Sequence, residues 1–337
     1  MTEASRAEKG GVGEGIRLLL CENPLPPIDE AVSAARKELP RSNRYTEPYS
    51  EPLRRLISHE IGVPEKNIHI NAGSELILRQ IFDRYVEKSH LLTPTYNLFR
   101  EISPDYTETR LSPEEEFEYD LGDLDFDSNT DLVVVVSPNN PNGGSFNVSE
   151  IPDLLEENPD TYFLVDEAFF EFTRETVADL VPDYSSLIVT RTFSKAHSLA
   201  GFRVGYVVAP EAIADELNAN NDAYPLTRAG EAAAVASLRN KQKIYDRADR
   251  LRSWTRDLSE SLSEMGVETY PTETYFFLAD FSPRSVSAPE VAEKLAEKKI
   301  LVKPLDEDRL GDGYMRVTTS TPENNRKFVE AVGEILG

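Results

Sequence analysis

Short, solidly apolar runs recur through the middle of the chain, with helical patterns between them. Segments 68–70, 90–92, 132–136, 162–165, 187–190 and 204–208 have strand length and several are apolar throughout, as in strands buried on both faces. Segments 75–86 and 151–157 carry helical spacing instead. Strands alternating with helices predict a mainly parallel sheet wrapped by helices, a three-layer αβα unit. After Pro210 the texture changes to long charged helical stretches at 211–220, 228–265 and 289–299. Strand-like pieces follow at 275–279 and 314–319, and a last helix at 322–336. The pattern predicts an α/β fold with an N-terminal arm over 1–30, a large domain over 31–220 and a smaller α+β domain over 221–337.

Polar residues cluster where the expected strands end. Asn71-Ala72-Gly73-Ser74 follows one, residues 137–144 another, Asp166 closes a third, and Thr192 to Lys195 follow a fourth. Open parallel sheets bind ligands beyond the carboxyl ends of their strands, so these clusters predict a single site. The charge narrows its partners. Sixty acidic residues against 36 basic ones give a net charge of −24, which disfavours nucleic acid and anionic membranes. The acids are dispersed and arginine outnumbers lysine, a balance that resembles proteins of salt-loving organisms, whose carboxylate repulsion is screened. No apolar run approaches the ~18 residues of a membrane span. The first fifteen residues carry no apolar core of a secretory signal, so a cytoplasmic protein is expected. One cysteine, Cys21, leaves no intrachain disulfide, and nothing points to a metal.

The chemistry can be read at the expected sheet edge. A carboxylate such as Asp166 at the end of a buried strand is costly without a cationic partner. Asn71 to Glu75 join a strand to a helix, so backbone N–H groups and the helix dipole are available to a phosphate. Thr190-Arg191-Thr192-Phe193-Ser194-Lys195, followed by Leu199-Ala200-Gly201-Phe202-Arg203-Val204-Gly205-Tyr206, is the strongest signal. It resembles the cofactor-lysine segment of class I/II aminotransferases of fold type I, particularly the histidinol-phosphate aminotransferase family. That resemblance runs from about Cys21 to the C-terminus. It implies pyridoxal 5'-phosphate (PLP) as cofactor and amino-acid and keto-acid substrates.

Residue by residue, the resemblance makes Lys195 the lysine that binds PLP as a Schiff base and shuttles the substrate proton. Asp166, in Val165-Asp166-Glu167-Ala168-Phe169, faces the pyridine nitrogen. Asn140, in Ser137-Pro138-Asn139-Asn140-Pro141, donates to the phenolic oxygen. Tyr96, in Pro94-Thr95-Tyr96, stacks on the ring. Gly73, Ser74, Thr192, Ser194 and Arg203 hold the phosphate. Tyr45, in Asn43-Arg44-Tyr45, reaches the phosphate of a neighbouring subunit, which implies a homodimer. Arg316 grips the substrate carboxylate. Asn23, in Cys21-Glu22-Asn23-Pro24, Lys303 and Tyr275 complete the expected substrate contacts.

Several positions depart from the pattern. Phe169 replaces a tyrosine, Lys303 an arginine, Tyr275-Phe276 an Asn-Phe pair and Thr319-Ser320 a Val-Gly pair. His197 stands where a phenylalanine is usual, and a packing role is expected for it. Together these departures argue against histidinol phosphate as the substrate. The alternative is a decarboxylase resembling L-threonine-O-3-phosphate decarboxylase, which often carries Asp-Glu-Ala-Phe as residues 166–169 do. Its His-Gly-Gly has only a weak echo in Lys9-Gly10-Gly11. A PLP-fold binding module is a third reading, disfavoured because Lys195, Asp166, Arg203 and Arg316 are all present.

Overall fold

The computed structural model describes residues 15–305 and 310–337. Lys9-Gly10-Gly11 and the first half of the expected arm lie outside the described residues. Strand β1 (Ile16–Arg17) precedes the strands of the main sheet: β2 (Ile68–Asn71), β3 (Lys88–Thr93), β4 (Asp105–Arg110), β5 (Leu132–Val136), β6 (Tyr162–Asp166), β7 (Leu187–Thr192) and β8 (Gly205–Val208). These seven lie in the order β2-β8-β7-β6-β5-β3-β4. All neighbours are parallel except β8, which is antiparallel to both β2 and β7.

The solid apolar runs follow from the layers. On β5, Leu132, Val134 and Val136 join the core under helices Ser74–Tyr85 and Glu211–Ala219, while Val133 and Val135 face the opposite core with helix Ile151–Glu157. Period-two alternation thus buries both faces. All six expected strands are present, with ends within two residues. The strand of the main sheet that was not foreseen, β4, reads Asp-Tyr-Thr-Glu-Thr-Arg and sits half exposed at the sheet edge, where polar side chains discourage pairing with another chain. Helices Asp29–Glu38 and Glu51–Ile61 were also not expected. The stretch 228–265 is two helices, Arg228–Arg239 and Lys241–Ser263, broken at Asn240. There the backbone leaves helical geometry, and the Asn240 amide caps the Ala236 carbonyl at 2.8 Å.

Towards the C-terminus, β9 (Glu268–Thr269), β10 (Phe276–Asp280), β11 (Ile300–Leu301), β12 (Lys303–Pro304) and β13 (Tyr314–Thr318) follow. Four of them make an antiparallel sheet ordered β12-β13-β10-β9. It packs on helices Ala288–Glu297 and Pro322–Leu336 and on Leu258 and Leu262 of the long helix. The earlier part of that helix, through Ile244, Ala248 and Leu251, belongs to the core of the main sheet. β1 pairs in parallel with β11, Leu18 enters this second core, and the Thr318 N–H donates to the Leu18 carbonyl at 3.1 Å. From there the chain crosses the cleft between the two sheets. No described helix is long and apolar enough to cross a membrane.

Candidate active site

The carboxyl ends of β5, β6 and β7, the start of helix Ser74–Tyr85 and the crossing segment Leu19-Leu20-Cys21 enclose a cavity of ≈ 380 Å³. Lys195 lies in a tight loop after β7. Phe193 and Val204 close it with a backbone bond of 3.0 Å, and the Leu199 N–H returns to the Phe193 carbonyl at 3.0 Å. Beneath the sheet edge, Arg191 and Glu167 form a buried ion pair at 2.7 Å. Arg191 also donates to Thr176 at 2.6 Å and lies 3.6 Å from the centre of the Phe170 ring. Strand alternation turns Glu167 and Arg191 away from the cavity while Asp166 and Thr192 face it.

The Lys195 Nζ is 3.4 Å from the carbonyls of both Leu20 and Cys21 and 5.6 Å from the centre of the Phe169 ring. Burial is the main force pulling its pKa below the ordinary lysine value; Cys21 opposes this and Arg316 adds to it. The amine is therefore biased toward the neutral, nucleophilic form. Asp166 accepts from the Thr190 hydroxyl at 2.9 Å, and burial raises its carboxyl to about 6. A cation in the cavity would favour its ionised form.

A second corner is built for close approach. Gly73 has φ +94°, and a Cβ there would lie 2.6 Å from Arg203 Nη2; a Cβ on Gly205 would lie 2.2 Å from the Ser74 nitrogen. Ser74, at the head of a 12-residue helix, meets Thr192, Ser194 and Arg203 at the cavity wall. Arg203 itself holds φ 53°, a strained conformation of the kind that clusters at functional sites. At the other end, Arg316 donates to the Asn140 amide oxygen at 2.7 Å and to the Leu19 carbonyl. Its buried Nε has no hydrogen-bond partner among the described residues. Lys303 faces Arg316 across the β12–β13 pairing, and both line the cavity. Tyr96 lines it too, its hydroxyl pushed up to about 12, chiefly by burial.

Two expected substrate contacts, Asn23 and Tyr275, lie elsewhere, and Tyr45, expected to serve a neighbouring subunit, is exposed. Tyr45 is 76% exposed and stacks on Tyr224 with ring centres 4.5 Å apart. Asn23 donates to the Lys195 and Ala196 carbonyls at 3.1 and 3.2 Å, bracing the lysine loop. Tyr275, expected at the substrate, is wholly buried behind the wall, stacked on Phe172 and donating to the Cys21 carbonyl. The packing expected of His197 is seen: its ring bridges Ser237 at 2.7 Å and Glu171 at 3.0 Å. Leu19, Leu20, Glu75 and Leu305 line the cavity without having been foreseen.

Comparison with known proteins gives the family and the fold. Residues 94–332 match the family described as aminotransferase class I and II. The histidinol-phosphate aminotransferase of Acinetobacter baumannii (strain SDF) is 30% identical, across 94% of this chain and 90% of that protein. The chain belongs to the class I and II aminotransferases. Among solved structures, histidinol-phosphate aminotransferase from Sinorhizobium meliloti, in complex with PLP, superposes with a TM-score of 0.87 at 20% identity, covering 100% of this chain and 94% of that one. L-threonine-O-3-phosphate decarboxylase from Porphyromonas gingivalis gives 0.85 at 24% identity, covering 95% and 99%. At those identities the structures speak for the fold, which is the three-layer PLP-transferase fold of type I.

The cofactor of this aminotransferase is PLP, and the residues present fit it. Ser74, Thr192, Ser194 and Arg203 offer donors to a phosphate beside Gly73, where a side chain would obstruct it; the buried carboxyl of Asp166 forms no ion pair among the described residues, and the buried Nε of Arg316 finds no partner among them.

Proposed function

We propose that Lys195, Asp166, Asn140, Arg203 and Arg316 carry the transfer of an amino group from an amino acid, or an amine derived from one, to a keto acid. One observation supports this most: these five, from separate stretches of chain, line a single cavity. When bound, PLP supplies an electron sink for the bonds at the substrate's Cα. Lys195 would hold the cofactor through its Nζ and, freed by the substrate amine, would serve as the base that takes the proton from the substrate's Cα. Gly73, Ser74, Thr192, Ser194 and Arg203 hold the phosphate, and Tyr96 lies against the ring. The Asn140 oxygen accepts from Arg316, which would leave its amide N–H groups to donate to the phenolic oxygen. Arg316 holds the substrate carboxylate, and exposed Tyr45 serves the site of a second copy in a homodimer.

The test is a screen of the PLP-loaded protein against amino acids and phosphorylated amines. The expected result is a shift in the bound cofactor's absorbance with one equivalent of keto product. Release of carbon dioxide instead would favour the decarboxylase reading. Histidinol phosphate is expected to react slowly, because the ammonium of Lys303 is a point charge where an arginine would present a fork. Lys303→Arg should raise its kcat/KM roughly tenfold, the worth of one charge-assisted hydrogen bond. Efficient turnover by the unaltered protein would overturn that expectation.

Phe169 leads to a further prediction. A tyrosine there would extend a hydroxyl toward the cofactor's phenolic oxygen, stabilising the anion and loosening its hold on the proton shared with the lysine nitrogen. Phe169→Tyr should therefore lower the pH midpoint of the bound cofactor's colour change, by up to about one unit for a bond worth ~1 kcal/mol. A spectrophotometric titration of both proteins decides this, and an unmoved or raised midpoint removes Phe169 from that position.

A further inference from the structure

Thr190 is fully buried in β7, directly opposite Asp166 of β6 in the parallel register. On its other side stands Val207, and the same layer of core holds Ile188 and Leu164. Valine would fill such a position equally well, and a hydroxyl there is unfavourable unless it is bonded. It is bonded to one atom of the site: Oγ1 donates to Asp166 Oδ1 at 2.9 Å. Asp166 in turn lines the cavity.

We propose that Thr190 is a positioning residue for the transamination: its hydroxyl fixes one oxygen of Asp166 and presents the other to the ring nitrogen of PLP. The inference rests on the role given to Asp166 above. The bond also favours the ionised carboxylate. Burial works most strongly against that form, and the Thr190 hydroxyl opposes burial most, followed by the Ala168 N–H. The other groups acting on Asp166 are Glu167 of like charge, itself paired with Arg191, Lys195 of opposite charge, and the Tyr96 phenol. None of them is altered by a change at Thr190. Losing the hydroxyl withdraws support from the charged form, so the carboxyl pKa rises and activity that needs the carboxylate is lost at a higher pH.

The experiment compares PLP-loaded Thr190→Val, Thr190→Ser and Asp166→Asn with the unaltered enzyme. It reads the rate of the amine half-reaction against pH, the pH dependence of the bound cofactor's absorbance, and the thermal midpoint. Thr190→Val should retain cofactor and fold but slow the half-reaction roughly ten- to hundredfold, the loss expected for one hydrogen bond to a charged group. Its acid limb should move up by roughly one pH unit, with the absorbance following. Thr190→Ser should restore both. If Thr190→Val does not fold, Thr190→Ala must show the same displaced acid limb. An acid limb and rate unmoved by loss of the hydroxyl, while Asp166→Asn is inactive, would overturn the role of Thr190 alone. Full activity in Asp166→Asn would overturn the reading of Asp166, and Thr190 with it.

Discussion

Lys195→Ala is expected to lose amine turnover by roughly 10⁴-fold or more, since one side chain supplies both the covalent link and the base. The same variant should still hold PLP. The phosphate corner is assembled from Gly73, Ser74, Thr192, Ser194 and Arg203, and its geometry comes from the glycine contacts and the helix head rather than from the lysine. Exhaustive dialysis followed by absorbance reads retention, and single-turnover mixing with an amino donor reads the rate. Turnover near that of the unaltered enzyme would remove Lys195 from the chemistry. Complete loss of cofactor would show that the phosphate corner does not bind it unaided.

The second large effect is one of stability. Glu167→Gln should destabilise the fold by about 3–5 kcal/mol, because it leaves the Arg191 guanidinium buried without its counter-charge. Arg191 cannot escape by losing its proton. A guanidinium keeps its proton at any pH the fold withstands, with or without the carboxylate beside it. The phenol of Tyr206 at 3.4 Å and the hydroxyl of Thr176 remain to it, but neither replaces a carboxylate. Urea unfolding under saturating PLP measures the loss without confusing it with cofactor release. Replacing both partners by apolar residues, Glu167→Leu with Arg191→Met, should recover much of it. A loss below about 1 kcal/mol for the single change would mean that the pair contributes little to the stability of the fold.

What the sequence makes legible follows from which forces leave a local mark. Strands buried on both faces must be apolar throughout, so β5 could be bounded to the residue. An edge strand has no such requirement, and β4 passes as a polar loop. Helices Arg228–Arg239 and Lys241–Ser263 run together in sequence because Asn240 is compatible with helical spacing, and only its backbone geometry marks the break. At the site, Lys195, Asp166, Asn140, Arg203 and Arg316 could be named because they sit in dense motifs, and all five line the cavity. Side-chain direction is less accessible. Asn23 and Tyr275 adjoin the same wall, yet one braces the lysine loop and the other the Cys21 carbonyl. The Glu167–Arg191 pair did carry a signal. Arg191 follows Thr190 within β7 and Glu167 follows Asp166 at the end of β6, so alternation continued by one residue puts both on the far side.

The pairing of β1 with β11 sets a condition on how the molecule is made. The wall Leu19-Leu20-Cys21 is held by Ile16 bonded to Lys299, by Leu18 bonded to Leu301 and Thr318, and by Arg316 on Leu19. Among the first of the described residues to leave the ribosome, this segment finds those partners only after nearly 300 further residues have been added. Contacts of such long range form late, because the entropy of closing the loop must be met before they stabilise anything. The main sheet and its lysine loop can assemble during synthesis, but the cavity that encloses the cofactor closes only on a finished chain.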